Sequence, residues 1–137
     1  MKTTFTVPSE EESLPLVLSH FSKIDQDWIS EKDWLRCELA LVEGFTNALN
    51  HAHKNLPAET KIEIEVNITR ENMEIRIFDS GPGFDLAGYI EQLNLEDDFS
   101  PTGRGIRILL KIANHLSYTR TSDNNRNCLL IVKEFAL

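Results

Sequence analysis

A two-layer α/β (α+β) sandwich, with helices covering one face of a mixed, largely antiparallel sheet, is the fold class this sequence predicts. Three observations carry that reading. Residues 61–69 alternate strictly, with Ile62, Ile64, Val66 and Ile68 on one face and Glu63, Glu65 and Asn67 on the other. Residues 31–53 instead repeat their apolar side chains at helical spacing. Along the chain the patterns run β-α-α-β-β-α-α-β-β, which gives three strand regions separated by two helix pairs. With 137 residues the chain closes one hydrophobic core and is expected to form a single domain over residues 1–137.

The first strand is read from Thr3-Thr4-Phe5-Thr6-Val7, and Ser9 followed by Glu10, Glu11 and Glu12 reads as a helix start, with that helix reaching Lys23. A second helix over Glu31 to His53 places Trp34, Leu41, Phe45, Ala48 and Ala52 on one side. Leu35, Leu39, Val42 and Leu49 widen its apolar surface, so it is expected to be central and mostly buried. Lys61 to Thr69 and Met73 to Asp79 form a hairpin around Arg70, Glu71 and Asn72. Ile106, Leu109, Leu110, Ala113 and Leu116 follow helical spacing, and two final strands lie near Ser117 to Thr121 and Asn127 to Phe135.

Composition narrows the function classes. At 41% hydrophobic and 26% charged residues, the chain has the make-up of an ordinary globular protein. Its net charge of −8 argues against direct, sequence-independent nucleic-acid binding, so a phosphate ligand has to be small and locally held. No run approaches the roughly 18 to 20 apolar residues that span a bilayer, and the first residues lack the order of a signal peptide. A cytoplasmic protein without a membrane partner is expected. Cys37 and Cys128 read as two buried thiols, and no Cys or His cluster has zinc-like spacing. His51 and His53, two apart on a helix, read as surface or interface residues.

Three constellations interrupt this plain pattern. Glu43, Asn47 and Asn50 stand at i, i+4 and i+7 on an otherwise apolar helix, so they line one stripe that faces either water or a ligand. Asp79 follows Met73, Ile75 and Ile77 on the inward face of its strand, where a carboxylate requires a donor. The next residues, Ser80-Gly81-Pro82-Gly83-Phe84, permit either a tight turn capped by Asp79 or the close approach of a flat ligand. Pro101-Thr102-Gly103-Arg104-Gly105-Ile106 opens a helix whose free N–H groups suit a phosphate. That last segment is neither a P-loop nor a full dinucleotide fingerprint.

In order and spacing, Glu43-Gly44-Phe45-Thr46-Asn47-Ala48 with His51, then Asp79 to Phe84, then Gly103 to Ile106, resemble the N box and glycine boxes of the GHKL ATPases. The resemblance spans roughly residues 35 to 120 and is nearest to the stand-alone anti-sigma serine kinases of the RsbW and SpoIIAB type. It implies the Bergerat ATP-binding fold, with ATP and Mg²⁺ as cofactors. Asn47 would hold the metal and Glu43 would be the catalytic base toward a serine hydroxyl or water. Asp79 would accept from the adenine amino group, beside Gly81 and Gly83. Asn50, Thr102, Gly103, Arg104, Gly105 and Ile106 would complete the nucleotide site, with Leu95 to Thr102 as a lid. Family members often open the last strand with Gly-Thr, where this chain has Asn127-Cys128. The acidic stretch Asn94 to Ser100 is read as facing a partner.

The function expected from this resemblance is an ATP-dependent protein serine kinase, an anti-sigma regulatory switch. It would phosphorylate a STAS-like antagonist protein and bind a sigma factor when the antagonist is absent, as a possible homodimer. A nucleotide-sensing module without kinase activity shares every binding residue with that reading, and a plain sandwich without nucleotide is the remaining alternative.

Overall fold

The computed structural model of the chain describes residues 1–95, 101–123 and 125–136. Strands β1 (Lys2–Pro8), β2 (Lys61–Ile68), β3 (Asn72–Asp79), β4 (His115–Arg120) and β5 (Asn127–Glu134) form one sheet in the order β1-β2-β3-β5-β4. Every pairing is antiparallel. Helices α1 (Leu14–Ser22), α2 (Glu31–Asn47), α3 (Leu86–Leu95) and α4 (Pro101–Ile112) complete the α+β sandwich, in the element order that the alternation and helical spacing predict.

Period-two alternation decides which face the core takes. Ile62, Ile64, Val66, Met73, Ile75, Ile77, Leu129 and Ile131 are buried beneath the helices together with Phe21, Leu41, Phe45, Ile106 and Leu109. The opposite face carries Glu63, Glu65, Glu74, Arg76 and Arg126, joined by ion pairs such as Arg76–Glu74 at 2.8 Å and Arg126–Glu63 at 3.0 Å. These half-exposed pairs contribute little to stability and keep that face compatible with water. Ser30 caps α2 by accepting from the Asp33 N–H at 3.1 Å, and α2 packs against α4 and across β3 and β5.

Local structure departs from the sequence expectations in several places. Ser9 does not start the first helix. Its N–H donates to the carbonyls of Ala58 and Thr60 at 2.9 Å, which ends β1; Glu11–Ser13 form a 3₁₀ turn that leads directly into α1 at Leu14, where Pro15 suits a first turn. The second helix does not run unbroken to His53, because α2 ends at Asn47 and Ala48–Ala52 form a π-helical turn. Leu35 and Leu39 are 54% and 43% exposed, so α2 buries one side rather than most of its surface. Leu116 belongs to β4, not to a helix. Once the Asn114 N–H has bonded to the Val132 carbonyl at 2.8 Å, pairing with β5 overrides the helical spacing. Cys37 is buried and its thiol is pushed up to about 12, chiefly by burial, whereas Cys128 is only half-buried on the open face of the sheet. Trp28 is exposed beneath the Arg70 guanidinium, 4.3 Å from its ring, and Trp34 stacks on Phe21 at 4.2 Å.

His53 is a core residue rather than a surface one, at 3% exposure. Its Nε2 accepts from the Ser80 N–H at 2.8 Å, which leaves the proton on Nδ1 to donate to Ser9 Oγ at 3.0 Å. Burial lowers its pKa from the ordinary 6.5, and the nearby charge of Asp79 opposes that shift only in part. The unfolded chain therefore takes up the proton first. The contribution of His53 is complete above its unfolded value and is lost as the pH falls through the lower folded one. Thermal melts between about pH 7.5 and 5.5 should show the midpoint falling with pH. His53→Gln, which keeps an acceptor and a donor but does not titrate, should have a shallower slope over the same range.

Candidate functional site

The strand register assembles the site. Directly opposite residues on neighbouring strands share a face, and at one end of the sheet Asp79 pairs with Asn127, which pairs with Arg120. One step further along, Ile77, Leu129 and Tyr118 form the adjacent row. Asp79, 3% exposed, is thereby surrounded by donors. Its Oδ1 accepts from the Gly81 N–H and from Asn127 Nδ2, both at 2.9 Å, and its Oδ2 accepts from the Tyr118 hydroxyl at 2.7 Å. The inward carboxylate that the alternation predicts has the donors it requires, and it holds the start of the following loop.

That loop is fastened a second time. The Gly81 carbonyl accepts from Asn127 Nδ2 at 2.9 Å and from Arg120 at 3.1 Å, and Arg120 also donates to Asn127 Oδ1 at 3.2 Å. The guanidinium thus orients the Asn127 amide, with oxygen toward Arg120 and nitrogen toward Asp79. Close approach explains the first glycine, since a Cβ on Gly81 would lie 2.2 Å from the Ala52 carbonyl oxygen. Gly83 has φ of +81°, a region costly for other residues.

Beside the loop lies a cavity of about 290 Å³, lined by Asn47, Ala52, Pro82, Gly83, Phe84, Tyr89, Ile106 and Tyr118. Its size is at the lower end of ligand pockets, which run from roughly 300 to 1,000 Å³. The lining is mostly apolar and aromatic. Phe84 stacks on Tyr118 with centroids 4.7 Å apart and meets Tyr89 edge-on at 6.1 Å. A flat heteroaromatic ring fits such walls.

The predicted site residues fall into distinct positions. Asn47, Gly83 and Ile106 line the cavity, whereas Asp79 and Gly81 lie behind its wall. Glu43 is half-buried one turn before Asn47, and a Cβ on Gly105 would come 3.0 Å from its Oε2, so the carboxylate abuts α4. Gly105 is the fifth residue of α4, beyond the N–H groups that a helix start leaves free, and its small size admits the Glu43 carboxylate. Thr102 and Gly103 occupy the first turn of α4, and Arg104 is exposed. Asn50 is exposed on the π-helical turn and does not line the cavity, because the widened turn rotates it off the Glu43–Asn47 stripe. Most of the predicted lid, residues 96–100, lies outside the described residues.

Asn127, the first residue of the last strand, supplies a donor to Asp79. Sequence reasoning missed Tyr118. The signal was present in the alternation Leu116, Tyr118, Arg120, but assigning Leu116 to a helix hid the register. Among the described residues no group of three or more His, Cys, Asp or Glu side chains is placed to hold a metal ion. No helix among them is long and apolar enough to cross a membrane.

Asn127→Ala removes donors from both Asp79 and the Gly81 carbonyl. It should lower the unfolding free energy by about 1–3 kcal/mol. Urea titration will show this as an earlier midpoint with an unchanged slope.

A family model described as a histidine kinase-like ATPase domain matches residues 7–133. Among curated proteins, none matches the chain.

Proposed function

The chain belongs to the histidine kinase-like ATPase family, whose model covers residues 7–133, and from that premise we propose that it is an ATP-dependent protein serine kinase acting as a regulatory switch. The observation that carries the reading is the meeting of Glu43 with Gly105 where α2 packs on α4, one turn from Asn47 in the cavity wall. A carboxylate, an amide and a helix start then surround the place where the phosphates of a nucleotide seated in the cavity would emerge.

In this reading the base lies against the wall formed by Phe84, Tyr89 and Tyr118, and the phosphates lie toward the first turn of α4. Glu43 takes the proton of a substrate serine hydroxyl as its oxygen bonds to the γ-phosphorus and the bond to the β-phosphate oxygen breaks, so that ADP leaves. The amide oxygen of Asn47 suits Mg²⁺, which usually takes one or two protein ligands together with substrate phosphates. Bound there, the cation would neutralise the charge that gathers on the phosphate oxygens.

The protein substrate in this proposal is a small STAS-like antagonist carrying the acceptor serine, with a sigma factor as the competing partner. Exposed Leu35 and Leu39 on the outer side of α2 supply apolar surface for a protein partner or a second copy of the chain. Two free cysteines accord with a reducing, cytoplasmic setting.

Glu43→Gln keeps the size of the side chain and removes the base. Incubation with labelled ATP, Mg²⁺ and candidate antagonist proteins should give phosphoserine with the natural sequence and at least about a hundredfold less with the variant. ATP affinity should stay within a few-fold. Undiminished phosphate transfer by the variant would remove Glu43 from the mechanism.

A further inference from the structure

β4 is the last strand in the order β1-β2-β3-β5-β4, so one of its sides faces β5 and the other faces no strand. The Thr121 N–H donates to the Arg126 carbonyl at 2.8 Å, and these two residues continue the register that sets Arg120 opposite Asn127. Hydrogen-bonded pairs alternate along an antiparallel ladder. Thr119 and Ser117 therefore also turn their backbone groups to β5, while Leu116 and Tyr118 turn theirs outward. Among the described residues no backbone group is bonded to these outward N–H and C=O groups. The two edges of the sheet are guarded differently. β1 begins with Lys2 and ends in Pro8, residue types that discourage an added strand, whereas Leu116 to Thr119 include neither.

Along this edge lies a groove of about 300 Å³. The four consecutive residues Leu116 to Thr119 all line it, and no residue of β5 does. Successive side chains of a strand point to opposite faces, so a space that touches four in a row lies against the backbone edge itself. The other wall is the start of α3, with Leu86 and Ile90. Asp85 is the one charged residue in the described lining, and the chain as a whole carries a net charge of −8.

We propose that this groove binds an extended, basic segment of a partner protein, which joins the sheet as a further strand beside β4. The outward N–H and C=O groups of Leu116 and Tyr118 bond to the backbone of that segment and supply affinity. Alternate apolar side chains of the segment seat against Leu86 and Ile90, and a lysine or arginine meets the Asp85 carboxylate. Charge selects the occupant: the groove presents a single carboxylate, and the negative chain around it repels acidic segments.

Linear heptapeptides displayed on phage are selected on the full chain, and the enriched sequences are resynthesised with acetylated and amidated ends. They should alternate apolar with polar residues and carry a lysine or arginine. In the free protein the amides of Leu116 and Tyr118 should exchange with solvent faster than those of Ser117 and Thr119, and saturating peptide should slow them at least about tenfold. Methyl groups on alternate backbone nitrogens of the peptide should weaken binding about tenfold or more in one phase, since each removes a good hydrogen bond, and by less than about threefold in the other. Asp85→Asn keeps an acceptor for the Gly88 N–H and should abolish the preference for a basic peptide. A selection that enriches no peptide would overturn the proposal, as would peptides that leave the two amides exchanging at their free rate or lose equal affinity in both methylation phases. Amides slowed by raising the protein concentration alone would place a second copy at this edge and would overturn it too.

Discussion

Everything near the cavity depends on one buried carboxylate. Removing Asp79 from water costs several kcal/mol, and only directed hydrogen bonds offset such a cost. The fold supplies them from three separate places: the turn at Gly81, the first residue of β5 and the edge strand β4. These segments converge because strand register sets Asp79, Asn127 and Arg120 side by side. The loop from Ser80 to Phe84 takes its path from that convergence, and the cavity is the space the loop leaves against α2 and α4. The same bonds that make the carboxylate tolerable in the core thus shape the place where a ligand sits.

Much of the fold was legible because its signals are local. The hairpin of β2 and β3 alternates without a break, so its inward face can be read by counting in twos, and Asp79 appears as an anomaly on that face. The element order follows from the same counting. Features that depend on competition between segments were not legible. Leu116 fits the helical spacing of α4 equally well until pairing with β5 claims it, and Ser9 resembles a helix cap until the ring of His53 takes its hydroxyl. Burial of α2 was overestimated because an apolar sequence does not reveal which flank is covered, and Leu35 and Leu39 stay exposed.

The site divides along the same line. Asp79, Gly81, Gly83 and Asn47 are marked by residue type set against local pattern, and each contributes to the cavity or to the wall behind it. Tyr118, Asn127 and Arg120 lie 39 to 48 residues from the Asp79 and Gly81 groups they bond, and only the strand order shows that they belong together. Asn50 shows where counting along a helix stops being a guide to position. Its spacing from Asn47 matches a regular helix, and the π-helical turn at Ala48–Ala52 breaks that regularity.

The imidazole of His53 joins Ser9 and Ser80, which stand 44 and 27 residues away in sequence. One neutral ring thus couples the end of β1 to the first residue of the loop beside the cavity, and its two nitrogens serve both at once. A proton taken up by that ring turns Nε2 from acceptor into donor and sets it against the Ser80 N–H, so acid disturbs the strand end and the loop together.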